Sequence, residues 1–216
     1  MEVSRKEVER YLGYRGLTSI DEHMQSVIEE CIKDMEEAVT PRYIYKTFPI
    51  EWKEDGGCEF AGISVVPGNL TKNLKGCGEI IMMAVTIGPG PDRLVKRAEI
   101  RDMLKAYTYQ AVGAAMAEAW CDEVNEKVVA EAKERGLFTR PRFSPGYGDF
   151  PLDVQKDFEK ILAMPKSIGV SLSDSLLMTP TKSITAVIGL SDKATDCHRA
   201  GCEECSMHET CEYSRA

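Results

Sequence analysis

Residues 140–151 of this 216-residue chain read RPRFSPGYGDFP, which sets one arginine and one tyrosine in unusually stiff backbone. A guanidinium is a planar fork that pairs bidentately with a carboxylate or phosphate. Arg142 stands just before Phe143-Ser144-Pro145-Gly146-Tyr147. Pro145 fixes φ, and Gly146 allows a sharp turn or a close approach of backbone to a ligand. Tyr147 adds a hydroxyl and an aromatic face, which attracts a cation, a sulfonium included, or stacks on a base. Clamp, close backbone and aromatic plate would together suit a small zwitterion carrying a ring. The plainer alternative is a rigid loop whose arginine makes a surface salt bridge and whose tyrosine caps the core. The six residues alone do not choose between the two.

A second candidate lies upstream, in the helix-like run YQAVGAAMAEAWCDEVNEKV. Its small residues let something approach closely. Glu123 and Lys127 form a favourable i,i+4 pair, an ordinary helix device. Glu118 instead has Asp122 at i+4, a like charge that is mildly destabilising. Ala111, Ala114, Ala115 and Glu118 share a face, so the carboxylate ends an alanine-rich strip. It either meets a ligand's ammonium or ribose hydroxyls, or it reaches solvent or a distant arginine.

The third candidate is the tail, CHRAGCEECSMHETC, where Cys197, Cys202, Cys205 and Cys211 follow the pattern C-x4-C-x2-C-x5-C. Four thiols within fifteen residues can converge on one metal, either zinc or an iron–sulfur cluster, whose plant-type spacing begins C-x4-C-x2-C. Disulfides or loose thiols are the alternatives, and His198 and His208 are potential substitute ligands. Cys31, Cys58, Cys77 and Cys121 are scattered and read as ordinary buried thiols.

These groups need elements to hold them. Residues 3–12 and 20–39 have helical apolar spacing, the second ending at Pro41. RYIYKTF (42–48) is a strand closed by the turn signal EDGG; EFAGISVV (59–66) is another strand; NLTKNLKG (69–76) is a short helix with an Asn at its start. EIIMMAVTIG (79–88) is continuously apolar, as a central strand covered on both faces would be. Helical spacing then runs from Pro91 to Gly136, broken near Ile100. Another helix follows Pro151, with Val154, Phe158, Ile161 and Leu162 inward. SLSDSLLM and SITAVIGL read as two strands around PTK. Without a regular βαβ rhythm, this predicts an α+β fold with a largely antiparallel, twisted sheet and flanking helices. The apolar pattern stops at Ser191, so the expected division is residues 1–190 as one domain and 191–216 as a Cys-rich tail.

Composition excludes several classes. The chain is 43% hydrophobic and 29% charged, with a formal charge of −8. That charge argues against nucleic-acid and anionic-membrane partners. No apolar run reaches the length of a membrane span, and the charged start MEVSRKEVER is unlike a signal peptide, so a cytoplasmic protein is expected.

The runs VTIGPGPDR, AVGAAMAEAW, RPRFSPGYGDFP and SLSDSLLMTPTKSITAVIGL together resemble the S-adenosylmethionine-binding reactivation domain of cobalamin-dependent methionine synthase. The most specific element is Arg-x-x-x-Gly-Tyr, here Arg142, Gly146 and Tyr147, with Ala-Glu-Ala at 117–119 upstream. The resemblance implies a subunit that holds S-adenosylmethionine during reductive methylation of cob(II)alamin. Arg142 would hold the methionyl carboxylate, backbone around Phe143 and Gly146 would line the ligand, Tyr147 would flank it, and Glu118 would meet its polar groups. The cobalamin would sit on a partner, either the cobalamin-binding methionine synthase modules or another corrinoid protein, with a further protein as electron donor. The homocysteine, folate and cobalamin modules do not fit in this length, so the resemblance implies a free-standing reactivation subunit rather than a complete enzyme. An alternative is a metal- or iron–sulfur-binding electron-transfer or interaction protein for a corrinoid methyltransferase. Two departures stand out. Gly13 of YLGY (11–14) occupies the place of the family's N-terminal acidic residue, and the Cys-rich tail replaces a tyrosine downstream of the last strand.

Overall fold

The computed structural model describes residues 3–14 and 20–194. Three helices gather at one end: α1 (Arg5–Tyr11), α2 (Glu22–Ala38) and α4 (Gly90–Ala98). They pack on α5 (Met103–Glu134), a helix of 32 residues. Asp21 caps α2 by accepting from Met24 N, and Asp102 caps α5 by accepting from Lys105 N. The break expected near Ile100 is therefore the junction between α4 and a newly capped α5, with Pro91 in the first turn of α4.

The main sheet has the order β1-β5-β9-β6, every pair antiparallel, formed by β1 (Arg42–Pro49), β5 (Glu79–Thr86), β6 (Phe138–Thr139) and β9 (Ser183–Ser191). The unbroken apolarity of β5 has a direct cause. Ile81, Met83 and Val85 face Cys121, Val124, Val128 and Ala132 of α5. Ile80, Met82 and Ala84 face a second core built from α3 (Asn69–Leu74), α6 (Gln155–Ile161), α7 (Met164–Ser167) and Phe150. Both faces are dry, so there is no polar alternation to read. The mixed helix and antiparallel-sheet class expected from the sequence is the one found.

Two local readings are corrected. EFAGISVV is not one strand: β3 (Cys58–Phe60) and β4 (Ile63–Val65) form a hairpin, joined to β2 (Glu51–Trp52), because Ala61 and Gly62 both have positive φ. SLSDSLLM does not pair with β9 either. It folds on itself as β7 (Ser171–Leu172) and β8 (Met178–Thr179), closed where Ser173 N donates to Leu177 O and Leu177 N to Ser173 Oγ. The side-chain hydroxyl offers backbone a local partner, which competes with a longer strand.

Candidate functional site

The segment carrying the arginine motif runs along the outer edge of β9. Arg140 N donates to Gly189 O, Phe143 N to Val187 O and Val187 N to Phe143 O, at 2.8, 3.0 and 2.8 Å. An extended segment sends successive side chains to opposite faces. Arg142 therefore turns to the α5 face, and Phe143 to the other core, where its ring lies 6.4 Å from that of Phe150.

On the α5 face, Arg142 meets both acids of the like-charged pair. Its Nη2 lies 2.7 Å from Asp122 Oδ1 and 3.7 Å from Glu118 Oε2. Its Nη1 donates to Cys121 Sγ at 3.0 Å. The guanidinium resolves the anomaly read from the sequence, since a cation between two acids turns i,i+4 repulsion into a three-charge cluster. Only 14% of the arginine side chain is exposed, against 44% for Glu118 and 61% for Asp122. The surface salt bridge offered by the plainer reading is thus a largely buried cation held by two solvent-facing acids. Burial pushes the Cys121 thiol up to about 12, although the nearby Arg142 charge pulls the other way. At neutral pH this sulfur is a neutral acceptor, and the anions on the fork are the two carboxylates.

The alanine-rich strip does admit a close approach. Ala111 and Ala115 are buried in the core shared by α1, α2, α4 and α5. What approaches closely there is other helices. At Gly113 it is the stem of Lys182, whose Cε would stand 2.9 Å from an added Cβ. Lys182 Nζ donates to Gln110 Oε1 at 2.6 Å, and desolvation lowers its pKa. The Lys127 ammonium stands 4.8 Å from the Tyr43 ring centroid.

After Phe143 the chain makes a tight turn. Tyr147 N donates to Ser144 O, Gly146 N to Phe150 O and Phe150 N to Tyr147 O. Gly146 has φ +92, a conformation that calls for glycine. Tyr147 does not cap the core, being 71% exposed. Asp149 anchors the turn. Its carboxylate accepts from Asn69 N at 2.5 Å and Leu70 N at 3.2 Å, capping α3 across 80 residues of sequence. Sequence reasoning placed Asn69 at the helix start but missed this acceptor. It missed Asp122 as well, noting it merely as an awkward neighbour. In both cases the partner is remote in the chain.

The structure thus joins Arg142 with Glu118 and sets Gly146 and Tyr147 on the adjoining turn, Tyr147 towards solvent. Gly13 lies at the end of α1 with φ +83. A depression of about 440 Å³ lined by Trp52, Gly56, Thr71, Lys72, Lys75 and Gly76 involves none of the expected residues. Cys31, Cys58, Cys77 and Cys121 are buried thiols in no disulfide, as expected. Cys197, Cys202, Cys205 and Cys211 lie outside the described residues. Among the described residues there is no metal-ligand cluster, and no helix is long and apolar enough to cross a membrane.

The fold is shared with a solved structure. The crystal structure of the MetH reactivation domain bound to AdoHcy matches with a TM-score of 0.60 at 17% identity, over 90% of this chain and 78% of that one. The family model for the activation domain of vitamin B12 dependent methionine synthase matches residues 71–209, a span that includes Glu118 and the whole arginine motif. The chain belongs to that family. No curated protein matches its sequence.

Proposed function

We propose that this chain binds S-adenosylmethionine and supports reactivation of cob(II)alamin on a cobalamin-dependent methionine synthase, or on another corrinoid protein of similar chemistry. The observation that carries the reading is the family match over residues 71–209, a span that holds Glu118, Arg142, Gly146 and Tyr147. Family membership and a fold shared with a domain bound to AdoHcy support it.

The groups present fit such a ligand. Arg142 would take the carboxylate, Glu118 the ammonium or ribose hydroxyls, the backbone of Phe143 and Gly146 one side of the ligand, and Tyr147 its flank. Bound there, the donor would supply a methyl group to the partner's reduced corrinoid and leave as S-adenosylhomocysteine, which would draw the uphill reduction forward. The chain's own task is to hold that donor in place, with the corrin supplied by the partner and an electron by a donor protein. A cytoplasmic setting accords with this role. Calorimetric titration with S-adenosylmethionine tests the reading directly. Saturable heat is expected, and none at millimolar ligand would refute it.

For the tail, residues 191–216, we propose a bound metal on Cys197, Cys202, Cys205 and Cys211, on the strength of their spacing. After anaerobic purification, brown colour with visible absorbance identifies an iron–sulfur cluster and favours a direct electron-transfer role. Stoichiometric zinc in a colourless protein identifies a folding site. Metal-free protein overturns the assignment.

A further inference from the structure

We infer that Asp122 is an internal stand-in for the ligand's carboxylate, holding Arg142 in place until a carboxylate-bearing ligand displaces it. The inference rests on Arg142 being the ligand clamp. Asp122 Oδ1 makes the closest contact to the guanidinium, 2.7 Å, where Glu118 remains at 3.7 Å. The two partners of that contact differ sharply in freedom. Arg142 is fixed by its surroundings, with Nη1 on the buried Cys121 sulfur and 14% of its side chain exposed. Asp122 is 61% exposed and can swing into water at little cost. Leaving also relieves its repulsion with Glu118, one helical turn away. Exchange of one carboxylate for another keeps the buried cation paired throughout, so no stage leaves an uncompensated charge inside.

The exchange has a signature that a plain structural salt bridge lacks. Arg142, Glu118 and Asp122 together carry one net negative charge, which opposes an incoming carboxylate. Neutralising Asp122 removes both the opposition and the competitor. The full chain is titrated with S-adenosylhomocysteine, which has the amino-acid end, and with 5′-methylthioadenosine, which lacks it. Asp122→Asn should bind S-adenosylhomocysteine about two- to fivefold more tightly, the range set by an exposed ion pair. Its affinity for 5′-methylthioadenosine should stay at the wild-type value. Asp122→Glu should return S-adenosylhomocysteine affinity to near wild type, and Asp122→Ser should reproduce the gain, so the result does not hang on one variant. Equal or weaker binding of S-adenosylhomocysteine by both neutral variants would mean that Asp122 merely buttresses Arg142, and would overturn the inference while leaving the clamp intact. Absence of binding by wild type and variants alike would remove the clamp, and the inference with it.

Discussion

Asp149 offers the sharpest test of how the motif loop is held. Its carboxylate takes two backbone N–H groups at the start of α3, from Asn69 and Leu70. Loss of a helix cap costs about 1–2 kcal/mol, and hydrogen bonds to a charged group about 1.5–3 kcal/mol, so Asp149→Ala should destabilise the fold by about 2 kcal/mol. The same contact can be broken from the other side. Gly68 is extended, with φ 178, so alanine there brings no backbone strain. Yet its Cβ would fall 1.4 Å from Asp149 Oδ2, and the carboxylate would be expelled. Gly68→Ala should therefore cost about the same, and the double variant still about 2 kcal/mol rather than about 4, because the second change has nothing left to break. Urea denaturation measures each value, and melting points should fall by about 4–8 °C in all three variants. Additive losses, or a cost below about 0.5 kcal/mol for Asp149→Ala, would refute the anchoring argument. The anchored turn carries Gly146 and Tyr147, so S-adenosylmethionine should also bind more weakly to each variant.

The remaining predictions concern the proposed clamp and the core. Arg142→Ala should weaken S-adenosylmethionine binding by about 1.5–3 kcal/mol, read by calorimetry; unchanged affinity would exclude the arginine from the site. Gly189→Ala should lower stability by about 1–3 kcal/mol, since its Cβ would stand 2.7 Å from Cys77 Sγ and 2.8 Å from Leu74 Cδ2; an unchanged urea midpoint would show slack in that layer. Burial pushes the Cys31 and Cys121 thiols above the ordinary thiol value, up to about 12. Unfolded thiols ionise near pH 8.5 while these stay neutral, so their contribution is complete below about pH 8.5 and is lost as pH rises towards 12. The expected loss is about 1.4 kcal/mol per pH unit for each thiol. Urea midpoints between pH 8 and 11 should fall more gently in Cys121→Ser than in the wild type; parallel slopes would contradict the assignment.

Much of the fold was legible in advance where one signal repeats. The apolar periods of α2 and α5 and the unbroken apolar run of β5 mark helix faces and a doubly covered strand, because burial selects the same residue type at every inward position. Reading failed where a few local contacts outweigh a pattern, as at Ala61-Gly62 and at the Ser173–Leu177 turn. At the alanine strip it stopped short, because small residues signal a close approach without saying what approaches.

Sequence alone determined the residue types of the candidate site. A guanidinium beside proline and glycine, a tyrosine within reach, and an unexplained pair of acids on one helix were all visible, because chemistry resides in side chains and periodicity places them on elements. Tertiary structure decided which of them meet. Arg142 reaches Glu118 and Asp122 because β9 binds the motif's edge segment while α5 crosses the same sheet. Asp149 caps a helix 80 residues away for the same kind of reason. Such contacts depend on sheet order and helix packing, which are sums over the whole chain, and no short stretch of residues encodes them.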